Sequence, residues 1–353
     1  MKFLLNINTP YYLIYYVTSK CNAKCGFCLN KNRADRNTQD ELSLDEIRKI
    51  ADKFSTLKVL SFTGGEPFLR SDLMEIIKIF LNRTSVEYIN LHTNGYNPEK
   101  LKKILESVIE FKKHKYFSVC LSIDDLYEKH DKIRGIPGLY EKNLECISII
   151  KHYMKKDNRF DIMSGLVITR ENYETFEKTD CYLNNKININ SSVGIQRFTD
   201  KETETFLLKK FSSYIKNAEY SKKNVALFSF ENIKSAIEKI VPEIVIQNIL
   251  NNRRKYTCIS GRNLIVMYEN GELKPCEFLE DFFGNIRDYD YDILKVLSNE
   301  NVKKIRDKII RKECCCFWEN PIPFNIIYST SIYWKIIKNI ISDVFKKNKI
   351  KEY

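Results

Sequence analysis

Two textures alternate over the first 200 residues. Short runs rich in β-branched and aromatic residues read as strands: Tyr11–Val17, Val59–Thr63, Tyr88–His92, Phe117–Ile123, Asp161–Ile168 and Ser192–Phe198. Between them the apolar positions take helical spacing, as in Leu44–Phe54, where Leu44, Ile47, Ile50 and Phe54 share a face. Leu73–Leu81, Leu101–Phe111, Tyr140–Tyr153 and Tyr173–Leu183 follow the same rule. Strands alternating with helices imply a parallel sheet with right-handed crossovers. An α/β fold of six such units is either a doubly wound sheet or an incomplete β/α barrel. Both bind ligands at the carboxyl ends of their strands.

Beyond residue 200 the texture changes. Residues 201–255 contain no glycine and read as a lysine-rich helical connector. Leu264–Tyr268 and Glu272–Pro275 flank Asn270-Gly271, the signature of a β-hairpin turn. A helix is expected over Ile293–Ile310, and a second amphipathic one over 331–353. The chain therefore divides into an α/β unit at 1–200, the connector at 201–255, a small α+β domain at 256–330 and a C-terminal helix at 331–353.

Composition narrows the class. With 43% hydrophobic and 29% charged residues in a chain of 353, a sizeable core forms and disorder is excluded. Only 11 glycines and 8 prolines leave no room for collagen or low-complexity linkers. The net charge of +12 attracts anions, but no basic stripe is interleaved with stacking aromatics, so a nucleic-acid partner is not expected. Asn6, Asn8 and Pro10 interrupt the N-terminal apolar run, which excludes a secretory signal, and no run is long enough to span a membrane. Eleven cysteines, an odd count, do not suit a disulfide scaffold. Cys120, Cys146 and Cys181 stand alone in apolar elements and read as buried hydrophobes. The other eight are clustered, which points to metal-bound thiolates in a reducing cytoplasm.

Cys21-x3-Cys25-x2-Cys28 lies in the loop after the first strand. Three thiolates from one loop suit three irons of a [4Fe–4S] cube and leave the fourth iron open, whereas zinc prefers four ligands. Thr63-Gly64-Gly65-Glu66-Pro67 follows the second strand: glycines for close backbone approach, a carboxylate for a cation, and a proline to open the next turn. His92-Thr93-Asn94-Gly95 follows the third strand. Ser122-Ile123-Asp124 ends the fourth, ahead of His130-Asp131-x2-Arg134-Gly135.

These motifs, with Phe27 directly before the last cysteine, resemble the radical S-adenosylmethionine superfamily over essentially the whole chain. The resemblance implies a partial (β/α)6 barrel of the TIM type. Cys21, Cys25 and Cys28 would hold the cluster, and S-adenosylmethionine would bind its unique iron. Reductive cleavage would then give a 5′-deoxyadenosyl radical that abstracts a substrate hydrogen. Carried over by position, Gly64, Gly65 and Glu66 meet the methionyl amine, Asn94 joins the cofactor site, Ser122 and Arg134 meet ribose or carboxylate groups, and Phe27 lies near adenine. For Ser122 and Arg134 a plain strand-end hydrogen bond or ion pair is an equal reading, and Asp124 could equally be a helix N-cap.

The later cysteines, Cys258, Cys276, Cys314, Cys315 and Cys316, resemble the C-terminal SPASM domain or its shorter form, twitch. Five cysteines suit one auxiliary [4Fe–4S] cluster, with Cys258, Cys276, Cys314 and Cys316 as ligands. Cys315 is left out because alternate residues of an extended segment share a face. A zinc site is the alternative. Asp124, Glu277 and Glu319 are the candidate general bases, chosen by nearness to the motifs.

The implied function is a radical oxidoreductase or maturase fed by flavodoxin or ferredoxin and acting on a peptide or protein. The competing substrate class is a sugar, cyclitol or lipid-linked glycan, and the reading from another class is a non-catalytic iron–sulfur or zinc protein. Only 20 residues precede Cys21, so no leader-binding domain is expected there. The final helix sets Ile332, Ile336, Ile337, Ile340, Ile341, Val344 and Phe345 on one face, against six lysines within 331–353. It docks on the barrel or, alternatively, lies peripherally on an anionic membrane.

Overall fold

The computed structural model describes residues 9–33, 40–112, 114–197, 199–217, 240–241, 243–251, 254 and 256–314, together with 325, 334 and 337. They fall into two compact units: residues up to Leu207 with Gly261–Lys303, and Leu208–Ser260 with the residues from Lys304.

The first unit is built on a nine-stranded sheet. Its strands are β1 (Tyr12–Tyr16), β2 (Val59–Thr63), β3 (Tyr88–Thr93), β4 (Tyr116–Ser122), β5 (Phe160–Ile168), β6 (Asn190–Ile195), β7 (Leu264–Met267), β8 (Glu272–Lys274) and β9 (Gly284–Asn285). The order is β6-β5-β4-β3-β2-β1-β7-β8-β9, with β1 to β6 parallel in sequence and β7 parallel to β1. Crossover helices α1 (Leu44–Lys53), α2 (Leu73–Arg83), α3 (Pro98–Val108), α5 (Leu139–Lys156) and α6 (Phe176–Tyr182) separate the strands. This is the partial (β/α)6 barrel, and the sequential strand order excludes the doubly wound alternative, whose order reverses at a switch point.

The elements start where local chemistry dictates. Ser43 and Glu46 form a reciprocal capping box at the head of α1. Asn97 caps α3 with Pro98 at the first helical position. Tyr15 and Phe62 pack on Phe80 of α2 at ring-centroid distances of 6.2 and 5.9 Å, so this face of the strands turns toward the helices. Strand alternation then sends Ile14, Tyr16, Ser61 and Thr63 to the barrel interior.

Three expectations change. Tyr127–Arg134 forms a helix, α4, that the pattern does not announce, because only His130 and Ile133 of its eight residues are buried. Its N-cap is Leu126 rather than Asp124, since the Asp124 side chain is engaged elsewhere. The helix expected over Ile293–Ile310 is two helices, Ile293–Ser298 and Glu300–Ile310, broken where Asn299 turns extended and its side chain accepts from the Asn301 N–H.

The hairpin forms as expected, with Gly271 at φ +85° in the turn, and it continues the barrel sheet through β1. Helix α7 (Lys201–Asn217) opens the connector. Among the described residues no helix is long and apolar enough to cross a membrane. Cys315, Cys316, Glu319 and most of the C-terminal helix lie outside the described residues.

Candidate active site

The cysteine loop leaves the carboxyl end of β1 and is fastened to the next strand-end loop. Gly65 N–H donates to the Thr18 carbonyl at 2.8 Å and Glu66 N–H to that of Lys20 at 2.7 Å. Both glycines are needed for this approach. A Cβ on Gly64, whose φ is +147°, would lie 2.5 Å from the Thr18 carbonyl oxygen.

Glu66 is 1% exposed and knots three strand ends together. Its Oε1 accepts from the Phe68 N–H at 2.9 Å and from Thr93 Oγ1 at 2.7 Å, and its Oε2 from the Asn94 N–H at 2.7 Å. Burial pushes its carboxyl up to about 6, against the lowering effect of those donors. Asn94 reaches back to the cysteine loop, donating from Nδ2 to Asn22 Oδ1 at 2.8 Å.

The fourth strand end supplies charge. Arg134 Nε pairs with the fully buried Asp124 at 2.6 Å, while Nη1 lies 3.6 Å from Cys25 Sγ. Its guanidinium also sits 5.3 Å from the centroid of the Phe27 ring. Asp124 additionally accepts the Val167 N–H at 3.0 Å, which ties β4 to β5. Phe27, Arg134, Asp124 and Cys25 therefore form one constellation. Ser122 is half-buried at the end of β4.

Glu277 arrives from the other end of the chain. Tyr16 Oη donates to its Oε1 at 2.5 Å, and the Tyr16 and Tyr268 rings lie 4.8 Å apart. Arg33, in the short helix after Cys28, stacks 3.9 Å over Tyr268 and pairs with Glu269 and Glu272 of the hairpin at 3.0 and 2.8 Å. Burial, then the charge of Glu277, raises the Tyr16 phenol well above its ordinary value, and Cys28 adds to this. Proximity in sequence had suggested Glu277; its aromatic partners, 261 residues away for Tyr16, carried no sequence signal.

Between the strand ends the barrel interior is polar. Ser61, Asn90, Ser118 and Asp161 stand in register across β2 to β5. Tyr12 Oη lies 3.0 Å from Ser61 Oγ, Asn90 Nδ2 donates to Ser61 at 3.3 Å, and Tyr116 Oη donates to Asp161. One step nearer the loops stands His92, which desolvation lowers to about 4 and so holds neutral. These polar interior positions formed no sequence motif and were missed; the polar members of otherwise apolar strands were the available signal.

Among the described residues no three His, Cys, Asp or Glu side chains already close around a metal ion. The donor chemistry of the loop nevertheless fits an iron–sulfur cluster. Cys21 Sγ accepts the Ala23 N–H at 3.4 Å, Cys28 Sγ accepts the Asn30 N–H at 3.3 Å, and Cys25 has Arg134. Donors aimed at each sulfur favour thiolates over thiols. Burial pushes the cofactor-free Cys21 thiol up to about 11 and raises Cys25 too, so binding cationic iron and losing the proton go together.

In the hairpin, Cys276 is buried and accepts the Leu279 N–H at 3.3 Å. In the second unit, Cys258 accepts from the Ser260 N–H at 3.4 Å and lies 3.8 Å from Asn325 Nδ2. Cys314 lies 3.7 Å from Arg254 Nη2.

A parallel partial barrel with a three-thiol loop at the end of its first strand defines a class of cluster-dependent enzyme. Residues 15–180 match the model of the Radical SAM superfamily, and this part of the chain is a Radical SAM domain. Proteins of that superfamily use a [4Fe–4S] cluster and S-adenosylmethionine, and the three-thiol loop described above suits such a cluster.

A GTP 3′,8-cyclase of Mannheimia succiniciproducens is 32% identical over 167 residues, 43% of this chain and 48% of that protein. An AdoMet-dependent heme synthase of Oleidesulfovibrio alaskensis is 25% identical over 298 residues, 78% of this chain and 72% of that protein. The chain spans about half the length of the cyclases it matches. Among solved structures, anSMEcpe with bound AdoMet and a peptide superposes with a TM-score of 0.55 at 16% identity, over 94% of this chain and 99% of that one. Streptococcus suis SuiB bound to S-adenosylmethionine gives 0.52 at 18% identity, over 85% and 68%. These likenesses concern the fold.

Proposed function

We propose that this chain reductively cleaves S-adenosylmethionine and uses the resulting radical to modify or oxidise a peptide or protein. The observation that carries the radical chemistry is the three-thiol loop with a donor at every sulfur, seated at the barrel mouth beside the Glu66 knot and the Arg134–Asp124 pair. When bound, the cluster and S-adenosylmethionine supply a carbon-centred radical that takes a hydrogen atom from the substrate. The chain's own part is to position and to charge-balance. Gly64 and Gly65 bring the backbone close, Arg134 sets a positive charge beside Cys25, and Phe27 offers an aromatic face. Asn94 and Ser122 offer hydrogen bonds at neighbouring strand ends. Glu277, hydrogen-bonded to Tyr16, is the carboxylate we assign as proton acceptor for the substrate radical, ahead of Asp124, which is committed to Arg134.

Support for a peptide substrate comes from the fold shared with anSMEcpe, whose solved form holds a peptide. Flavodoxin or ferredoxin is the electron donor we assign. Residues 256–330 form the auxiliary-cluster region in this reading, with Cys258, Cys276, Cys314 and Cys316 as ligands.

A second reading, a polar small molecule such as a sugar or cyclitol, is favoured by one observation, the row of Ser61, Asn90, Ser118 and Asp161 lining the barrel. Anaerobic reconstitution with iron and sulfide, then reduction, tests the chemistry. Formation of 5′-deoxyadenosine is expected, and its loss in a Cys21→Ala/Cys25→Ala/Cys28→Ala chain; cleavage that survives the triple change sinks the proposal. Faster cleavage on adding a peptide fraction supports the first substrate class, and faster cleavage with a sugar panel supports the second.

A further inference from the structure

Among the described residues, Arg254 is the bulkiest fully buried side chain, at 0% exposure. Its Nη2 donates to the Ile309 carbonyl at 2.6 Å and faces Cys314 Sγ at 3.7 Å, and its guanidinium lies 5.6 Å from the Tyr256 ring centroid. Nε and Nη1 are buried with no hydrogen-bond partner among the described residues. No described carboxylate pairs with it either. A guanidinium keeps its charge at any ordinary pH, so burying it without an anion is strongly unfavourable.

Among the described residues, the group it faces that can become anionic is a thiol. Cys314 Sγ lies within reach of its Nη2. Cys258 in turn is met by the Ser260 N–H and by Asn325, whose Oδ1 is fixed by the Ile259 N–H at 2.8 Å. Two sulfurs thus have donors aimed at them, beside a cation with unused donors. That arrangement suits a net-negative group ligated by thiolates.

We propose that Arg254 is the counter-charge and hydrogen-bond donor of the metal group that Cys258 and Cys314 help to hold. This rests on the auxiliary cluster of the preceding section. It assigns to that cluster a residue outside its cysteines, with the role of positioning the group and setting its potential.

The test uses the full chain carrying Cys21→Ala/Cys25→Ala/Cys28→Ala, reconstituted anaerobically so that only the second set of cysteines loads iron. About four irons per chain are expected. An iron-free chain at this step refutes the auxiliary cluster itself and leaves the barrel chemistry untouched. Arg254→Gln and Arg254→Lys are then compared by iron content and by redox titration followed in electron paramagnetic resonance. Removing the positive charge disfavours the reduced, more negative cluster. Arg254→Gln is therefore expected to lower the midpoint by a tenfold or larger change in the reduced-to-oxidised ratio, about 59 mV for one electron. Arg254→Lys should stay near the parent. Iron lost in Arg254→Gln but retained in Arg254→Lys also supports the proposal. A loaded Arg254→Gln chain with an unmoved midpoint, or equal iron loss in both variants, overturns it.

Discussion

A methyl group on Gly65 would lie 2.0 Å from the carbonyl oxygen of Lys20, directly ahead of Cys21. Backbone meets backbone there, so no side chain can yield. Gly65→Ala should cost about 3 kcal/mol, read by urea denaturation, and should lower the iron held by the barrel loop; a stable, fully loaded variant would contradict the close approach. At Asp124 the same scale predicts a different failure. Asp124→Asn strands the Arg134 charge in the barrel wall, at a cost of about 3 kcal/mol. Asp124→Asn combined with Arg134→Met should recover much of that, and a double variant no more stable than Asp124→Asn would argue against the pair. Glu66 governs a pH effect in the cofactor-free chain. Its carboxyl, raised from 4.5 to about 6, favours the folded state when protonated. Its share of stability is complete below about pH 4.5 and is lost as pH rises through about 6. Glu66→Gln should flatten that segment of the stability profile.

At the scale of elements, α1 and the segment after β9 are joined through one carboxylate. Glu46 closes the capping box with Ser43 and also accepts from Arg287 Nε at 2.6 Å and from Tyr291 Oη at 3.2 Å. Burial opposes ionisation, yet Arg287 and Ser43 hold the carboxyl down at about 2. The stability it contributes is present above about pH 4.5 and disappears as pH falls through about 2. Glu46→Ala should cost about 2 kcal/mol at neutral pH, measured by urea midpoint, and much less near pH 2.

The strands and most crossover helices were legible because buried faces impose periods of two and 3.6. Helix α4 was not, since Asp131, read as part of a motif, spends its carboxylate on the N–H groups of Gly138 and Tyr140 and leaves little apolar pattern. The cysteines and the Gly64-Gly65-Glu66 turn were legible as local spacing. The Glu277–Tyr16 bond and the burial of Arg254 are long-range facts that no local window contains.

For the whole molecule the two cysteine sets predict independent iron. The loaded chain should hold about eight irons, falling to about four when either Cys21, Cys25 and Cys28 or Cys258 and Cys314 are replaced by alanine. Iron analysis of the three preparations decides; a value near four in the unmodified chain would remove the auxiliary cluster.

The place of β1 in the sheet has a consequence for how the chain is made. All five of its residues are buried, with β2 on one side and β7 on the other. Its partner β2 emerges from the ribosome soon after it, whereas β7 begins only at Leu264. Until β7 is made, then, the strand that carries the cysteine loop is an open edge, able to pair with another nascent chain. A fragment ending before residue 264 should aggregate where the full chain does not, and during synthesis the β1 amides that bond to β7 should gain protection from hydrogen exchange after those that bond to β2. Of the strands described, the one translated earliest is among the last to be finished.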